Sequence, residues 1–128
     1  MSSELSILAL YGLLIVVLLL IEVLLAWPQL GLPYLASPRD ELREATGVAG
    51  RAKRAVLNCT IAMALFAPAI LILAAQNAFS ATTLLAAQIF LVARVVYAVV
   101  YLAGIPWIRT LSFVAGLAAT AWLYLLTL

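Results

Sequence analysis

Long apolar stretches alternate with short polar segments along the chain. Four of these stretches are each close to the 20 or so residues that cross the hydrocarbon core of a bilayer as a helix. They run approximately over Leu5–Trp27, Ala55–Ala75, Ala81–Ala103 and Trp107–Thr127. Their apolar runs are continuous, whereas the strands of a membrane barrel would alternate. The pattern predicts a single four-helix transmembrane domain over residues 1–128, with a polar loop over residues 28–54.

Composition agrees with this pattern. Of the 128 residues, 68% are hydrophobic and 9% are charged, and the mean hydropathy is +1.24. Soluble domains average roughly 45–50% apolar and about 25% charged residues. One cysteine and no histidine exclude a disulfide scaffold and a zinc module, and a net charge of +2 does not favour nucleic-acid binding. We therefore predict an all-α integral membrane protein with no metal site and no nucleic-acid partner.

Basic residues are distributed unequally between the polar segments. The loop over residues 28–54 contains five of the seven: Arg39, Arg43, Arg51, Lys53 and Arg54. The second connection, residues 76–80, contains none, and Arg109 follows the third. The positive-inside rule then places loops 1 and 3 in the cytoplasm and both termini outside. We expect this membrane to be a bacterial inner membrane.

The first loop also carries local structure signals. Pro28, Pro33 and Pro38 favour an extended start. Ser37 as a cap, Pro38 at the first helical position and acidic residues directly after it predict a short surface helix. The first apolar stretch has no Lys or Arg before it, so we interpret it as a retained helix and not as a cleaved signal.

Polar side chains inside the predicted helices are candidates for function, since hydrocarbon does not solvate them. Arg94 lies about ten residues before Gly104, which puts it about 15 Å from that end of its helix, near mid-membrane. Tyr97 and Tyr101 follow on the same helical face. An ion pair between Arg94 and Glu22 is an alternative explanation for the buried charge.

A second polar stripe has the same spacing on the preceding helix, formed by Arg51, Arg54 and Asn58. Both stripes run toward the predicted cytoplasmic side, which indicates an electropositive cleft there. The arginines could instead be anchors to lipid phosphates, and Asn58 could be an interhelical hydrogen-bonding residue. Tyr97 and Tyr101 could be ordinary interfacial aromatics.

Several segments resemble the MAPEG family, the membrane-associated proteins of eicosanoid and glutathione metabolism, in its bacterial branch. The second-helix motif of that family is similar to residues 54–60, RAVLNCT, with Leu65-Phe66 downstream. Its third-helix signature is similar to residues 93–97, ARVVY, continuing through 101–106, YLAGIP, to 109–111, RTL. Segments 31–34, GLPY, and 39–41, RDE, also match, so the resemblance covers most of the chain in order.

The resemblance implies a homotrimer with glutathione sites between subunits, open to the cytoplasm. Each glutathione would lie against helices 1 and 2 of one subunit and helix 3 of the next, as co-substrate for the conjugation or reduction of lipophilic small molecules. Carried over by residue, the glutathione-binding residues would be Arg51, Arg54, Asn58, Tyr97 and Tyr101. Arg109 would stand near the sulfur as the catalytic residue. Arg94 would be a polar structural or binding residue at the same interface.

Several positions depart from the family's pattern. Where the motif has a glutamate that binds the amino group of glutathione, this chain has Ile61, followed by Ala62 at a position that is usually aromatic or polar. Arg109 also follows Tyr101 by one residue more than in the eukaryotic members. Losing a charge-assisted contact costs roughly 1.5–3 kcal/mol. Either Glu22 substitutes for that glutamate, or glutathione binds weakly, or the site holds another ligand.

Two functions other than glutathione chemistry stay open at this stage. A trimeric membrane scaffold or accessory subunit that has lost glutathione binding would explain Ile61 and Ala62. A small four-helix multidrug exporter would share the size and a single acidic residue within the first helix, Glu22. Such exporters place that carboxylate deep in the membrane, however, whereas Glu22 is shallow and Arg94 is the deep charge.

Overall fold

The computed structural model describes residues 3–38 and 43–128 of the chain. Four long helices are joined by short connections, with one four-residue helix after the first: α1 (Glu4–Leu30), α2 (Leu32–Leu35), α3 (Gly47–Ala75), α4 (Ala81–Ala103) and α5 (Pro106–Thr127). Within the described ranges, α1, α3, α4 and α5 are each long and apolar enough to cross a membrane. The predicted all-α, four-span architecture of an integral membrane protein is confirmed.

Two features of the first loop differ from the sequence prediction. The prediction of an extended start is wrong, because α1 continues through Pro28 to Leu30 and Pro33 lies in the first turn of α2. A proline in a first helical turn lacks only an N–H that would have no partner there. The surface helix predicted to begin at Pro38 lies outside the described residues, since 39–42 are not among them.

Helix α3 begins at Gly47, well before the predicted membrane boundary at Ala55. The intervening segment is rich in alanine, arginine and lysine, which favour helix, and it contains no proline. The apolar stretch therefore marks only the membrane-embedded part of a longer helix. This extension puts Arg51, Lys53 and Arg54 on a regular helix, where their directions are set by helical geometry.

A capping box fixes the end of the bundle opposite to these arginines. The hydroxyl of Ser80 accepts from the backbone N–H of Thr83 at 3.2 Å, and the Thr83 hydroxyl accepts from the N–H of Ser80 at 2.7 Å. The same Thr83 hydroxyl donates to the buried carboxylate of Glu4 at 2.6 Å. The start of α1 is thereby tied to the start of α4.

Aromatic side chains join α1, α3 and α4 at the centre of the bundle. The rings of Phe66 and Phe90 stack at 3.9 Å, and Tyr11 packs edge-on against both. The Tyr11 hydroxyl donates to the backbone carbonyl of Cys59 at 2.6 Å. Many of the other core residues are alanines, and such small residues let membrane helices approach closely. The outer surface is formed mainly by exposed leucine, isoleucine and valine, as expected for contact with lipid.

Candidate functional site at the Arg94 and Tyr101 clusters

Arg94 is the most deeply buried cation in the described structure, with 2% of its surface exposed. Its Nη2 donates to Oδ1 of Asn58 at 2.8 Å and contacts Sγ of Cys59 at 3.0 Å. The guanidinium carbon lies 4.2 Å from the ring centroid of Tyr97, a cation–π distance. The structure thus brings Arg94, Asn58 and Tyr97 together between α3 and α4.

The alternative of an ion pair between Arg94 and Glu22 is not realised within the described part of the chain. Glu22 instead lines a separate cavity of about 270 Å³, which it shares with Tyr34, Arg43 and Lys53 near the predicted cytoplasmic side. The basic residues that line this cavity with the carboxylate are Arg43 of the loop and Lys53 of α3. The groups around the charge of Arg94 are the amide oxygen of Asn58, the sulfur of Cys59 and the ring of Tyr97.

A second cluster forms at the end of the bundle where α3 begins and α4 ends. Nε of Arg54 donates to the Tyr101 hydroxyl at 3.3 Å, and the guanidinium of Arg109 lies 4.9 Å from the Tyr101 ring centroid. The Tyr97 and Tyr101 rings are 5.4 Å apart, which links this cluster to Arg94. Nε of Arg51 donates to the carbonyl of Leu102 at 3.1 Å.

All seven predicted site residues thus lie along one continuous band within a single chain. The family resemblance would take the α3 stripe and the α4 stripe from two adjacent subunits, whereas here the two stripes contact each other directly. The physical reason is the early start of α3, which lets Arg51 and Arg54 reach α4 of their own chain. The contacts that assemble this band therefore lie within one chain.

The end of α4 shapes this cluster through Gly104. The residue has φ 78°, in the left-handed region, where it closes α4 with hydrogen bonds back to the carbonyls of Val100 and Tyr101. A Cβ at this position would lie 3.6 Å from the Arg51 guanidinium. Glycine thus provides both the helix stop and an open surface on which Arg51 lies.

Ile61 and Ala62 differ in position. Ile61 is 62% exposed on the outer surface of α3, whereas Ala62 is half-buried. Both line a small cavity between α3, α4 and α5. No carboxylate among the described residues stands in for the glutamate of the family motif beside Asn58.

Sequence reasoning missed two residues next to Arg94. Gly116 of α5 packs on the arginine stem, and an added Cβ would be only 3.3 Å from Cδ of Arg94. Phe113, one turn earlier, packs edge-on against Tyr97 at 6.5 Å. The glycine is a signal that could have been used, because a glycine inside an apolar helix often marks a close approach.

Comparison with known proteins identifies the family of the chain. The model of the MAPEG family matches residues 5–128, nearly the whole chain. No curated protein and no solved structure matches. The family includes glutathione transferases and peroxidases as well as members that are not enzymes. The match over nearly the whole chain, together with the four helices that are long enough to span a membrane, shows that the chain belongs to the MAPEG family.

Proposed function

We propose that this protein is a glutathione-dependent transferase or peroxidase that acts on lipophilic electrophiles dissolved in the bilayer. The observation that carries the proposal is the convergence of Arg54, Arg109, Tyr101 and Tyr97 at one end of the bundle. Three arginines, with Arg51 included, stand there without a carboxylate partner among the described residues. Such a cluster suits a peptide with two carboxylates, which arginine binds by charge-assisted hydrogen bonds.

Each residue has a role in this proposal. Arg51 and Arg54 bind the carboxylates of glutathione, since their hydrogen bonds to Leu102 and Tyr101 use Nε and leave the terminal NH₂ groups for a ligand. Asn58 binds the peptide backbone, while Tyr97 and Tyr101 line it. Arg94 positions Asn58 through a hydrogen bond and Tyr97 through a cation–π contact.

Arg109 is the proposed activator of the glutathione sulfur. Only the thiolate attacks an electrophile, and a free thiol of this kind has a pKa of about 8.5. A guanidinium about 4 Å away contributes up to about 4 kcal/mol at an effective dielectric constant near 20. Bringing the thiol pKa to about 7 needs only about 2 kcal/mol. One arginine is sufficient for this step without a histidine or another base.

The proposed assembly is a homotrimer in a bacterial inner membrane. Loops 1 and 3 face the cytoplasm, where glutathione is abundant, and both termini lie outside. The lipid bilayer delivers the lipophilic substrate from the side, and a neighbouring subunit covers the open face of the polar band. The exposed apolar surfaces of α1 and α3 support such contacts with lipid and with other copies.

Calorimetric titration with glutathione at neutral pH tests the binding step. The wild-type protein in detergent should bind at or below roughly millimolar concentration. Replacing Arg54 by glutamine should weaken binding about tenfold or more, because a charge-assisted contact is lost. Lys53→Gln is the matched control, since Lys53 is the adjacent basic residue but lines the cavity on the other side of α3. Absence of heat from the wild-type protein would overturn the proposal.

The catalytic step needs its own measurement. Conjugation of 1-chloro-2,4-dinitrobenzene and reduction of a lipid hydroperoxide should both slow in Arg109→Ala, mainly through kcat. Lys53→Gln again serves as the control. Unchanged rates in Arg109→Ala would show that another group activates the sulfur.

A non-catalytic scaffold is the second candidate, and the exposed Ile61 favours it. An apolar residue on the outer surface of α3 suits contact with a lipid or a protein better than contact with a charged peptide. This candidate predicts stable co-purification with a larger membrane complex in a gentle detergent, together with no heat in the glutathione titration.

A further inference from the structure

Arg94 has one unused hydrogen-bond donor inside the bundle. Its Nε is buried and has no partner within the described part of the chain, whereas its Nη2 contacts Asn58 and Cys59. Buried donors in proteins are nearly always paired with a protein group, a water molecule or a ligand. The unpaired Nε therefore indicates that a further group binds beside Arg94.

A small cavity between α3, α4 and α5 lies next to this donor. Its volume is about 50 Å³, whereas a single water molecule needs roughly 10–15 Å³ of such space. Arg94 and Gly116 both line the cavity. A Cβ on Gly116 would lie 3.3 Å from Cδ of Arg94, the atom bonded to Nε. The glycine therefore leaves room beside the unpaired donor for a ligand of one or a few atoms.

The hydrogen-bonding groups of the cavity favour an acceptor as that ligand. The amide oxygen of Asn58 accepts from Arg94, which leaves the NH₂ group of the amide as a donor. The Thr120 hydroxyl donates to the carbonyl of Gly116 at 2.9 Å, and it can rotate toward a ligand instead. The other lining residues are apolar. A ligand that pairs with Nε of Arg94 must accept a hydrogen bond.

Charge favours an anion over a water molecule as this acceptor. Helices α3, α4 and α5 contain five basic residues and no acidic one, because all acidic residues of the chain precede Gly47. Of the acids within α1, Glu4 accepts from Thr83 and Glu22 lines the other cavity. A guanidinium stays protonated, and a charge in apolar surroundings is costly unless it is paired. Water would satisfy only the donor, whereas an anion also supplies the counter-charge.

We propose that this cavity binds a small monovalent inorganic anion, chloride, as the counter-ion of Arg94. The anion accepts from Nε of Arg94 and from the NH₂ group of Asn58. It arrives from water at the end where α3 begins, along the polar band that leads through Tyr101 and Tyr97 to Arg94. The exposed surface of α3 is not its entrance, so a neighbouring copy can cover that surface. The proposal does not depend on glutathione.

NMR of the arginine Nε–H groups in the full-length protein tests this site. The protein carries isotope-labelled arginine in a non-ionic detergent, without glutathione, and is moved from sodium gluconate into sodium chloride at constant ionic strength. Gluconate is a six-carbon anion and is too large for this cavity. We expect the Arg94 signal, identified by its absence in Arg94→Met, to shift along a saturating curve. An Arg94 signal that does not respond to chloride would show that water pairs with Nε and would overturn the proposal.

Glycine variants test the location of the anion. Gly116→Ala should weaken chloride binding about tenfold, because the added Cβ overpacks the space beside Arg94 while keeping its charge. Gly12→Ala is the matched control, since its added Cβ would make only an ordinary contact with Met63 at 3.7 Å. Circular dichroism checks that each variant folds. Equal chloride affinities in the two folded variants would refute this cavity as the site.

Thermal unfolding gives a second measurement that needs no spectral assignment. An ion that binds only the folded protein raises the unfolding midpoint as its concentration increases. Chloride in place of gluconate should raise the midpoint of the wild-type protein and of Gly12→Ala. The rise should be absent in Arg94→Met, which has no charge at this position to neutralise. An equal rise in folded Arg94→Met would assign the effect to other anion sites and overturn the proposal.

The arginines at the end of the bundle are the competing site for an anion. Arg54→Gln should leave the response of the Arg94 signal to chloride unchanged, although this variant should bind glutathione more weakly. A saturating shift of the Arg54 signal without one of Arg94 would place the anion at the helix ends and overturn the proposal. The chloride titration contains no glutathione, so a wild-type protein that does not bind glutathione would contradict the transferase proposal alone.

Discussion

Asn58 joins the two clusters of the site, since it accepts from Arg94 and stands one turn below Arg54. Replacing it by alanine removes the only oxygen acceptor of Arg94 in the described structure. Leaving a buried charged donor without a partner costs about 1–3 kcal/mol. We expect Asn58→Ala to lower the thermal unfolding midpoint in detergent by several degrees and to weaken glutathione binding.

Thr60→Ala is the matched control for this variant. Thr60 lies on the same helix but is exposed, and its hydroxyl donates only to the carbonyl of Val56 one turn earlier. Its loss should leave the unfolding midpoint nearly unchanged. If both variants unfold at the wild-type temperature, the Arg94–Asn58 hydrogen bond contributes little and water solvates the guanidinium.

Individual residues of the site could be selected from the sequence, but their partners could not. Arg94, Asn58 and the two tyrosines are conspicuous because polar side chains are rare in apolar helices. The contact of Arg94 with Asn58 in place of Glu22 depends on helix rotation, which apolar spacing does not define in a helix that is hydrophobic all round. Gly116 and Phe113 were missed because the orientation of α5 was not inferred from the four-residue spacing of Ser112, Gly116 and Thr120, which that helix buries.

At the scale of helices, the Thr83 hydroxyl holds the start of α4, because it accepts from the N–H of Ser80 and donates its one hydrogen to Glu4. Thr83→Val keeps the shape but removes both hydrogen bonds. We expect it to destabilise the protein by about 1–2 kcal/mol, as loss of a helix cap does. Thr82→Val is the control, since the adjacent Thr82 is exposed. Equal unfolding midpoints for the two valine variants would contradict a structural role for the capping box.

The end of α4 offers a second test. Gly104→Ala should lower the free energy of unfolding by about 1 kcal/mol, because alanine tolerates a positive φ poorly. The added methyl group should also displace Arg51. Gly47→Ala is matched in backbone strain, with φ 63°, but an added Cβ there would contact nothing within 4 Å. Both variants should lose stability, while only Gly104→Ala should bind glutathione more weakly in calorimetry. Equal affinities would show that Arg51 does not depend on this turn.

Helix number and order followed directly from hydropathy, but the start of α3 did not. Hydropathy reports the part of a helix in lipid, so the polar start of α3 at Gly47 was hidden in the predicted loop. That early start is what brings Arg51 and Arg54 to α4. The capping signals Ser80 and Gly104, in contrast, stand at the observed boundaries of α4 and depend only on local backbone chemistry.

At the scale of the whole molecule, a single chain leaves one side of the polar band open. Arg54 is exposed although it donates to Tyr101, and Leu57 and Ile61 continue the exposed surface of α3 along the membrane. A neighbouring copy that covers this surface would bury Arg54 and limit the access of water to the sulfur of glutathione. We therefore expect three chains per particle in native mass spectrometry from a mild detergent.

Leu57→Glu tests the surface that makes this contact. Leu57 is 55% exposed and stands one turn from Arg54, so a carboxylate there should separate the chains and lower conjugation activity together with trimer content. Leu125→Glu is the control, because Leu125 is 68% exposed near the end of α5, away from the polar band. The glutamate also adds an acid beside Asn58, at a position other than that of the family glutamate, so glutathione affinity is measured in parallel. If Leu57→Glu stays trimeric, α3 is not the contact between copies. If it becomes monomeric but keeps its activity, one chain forms a complete site.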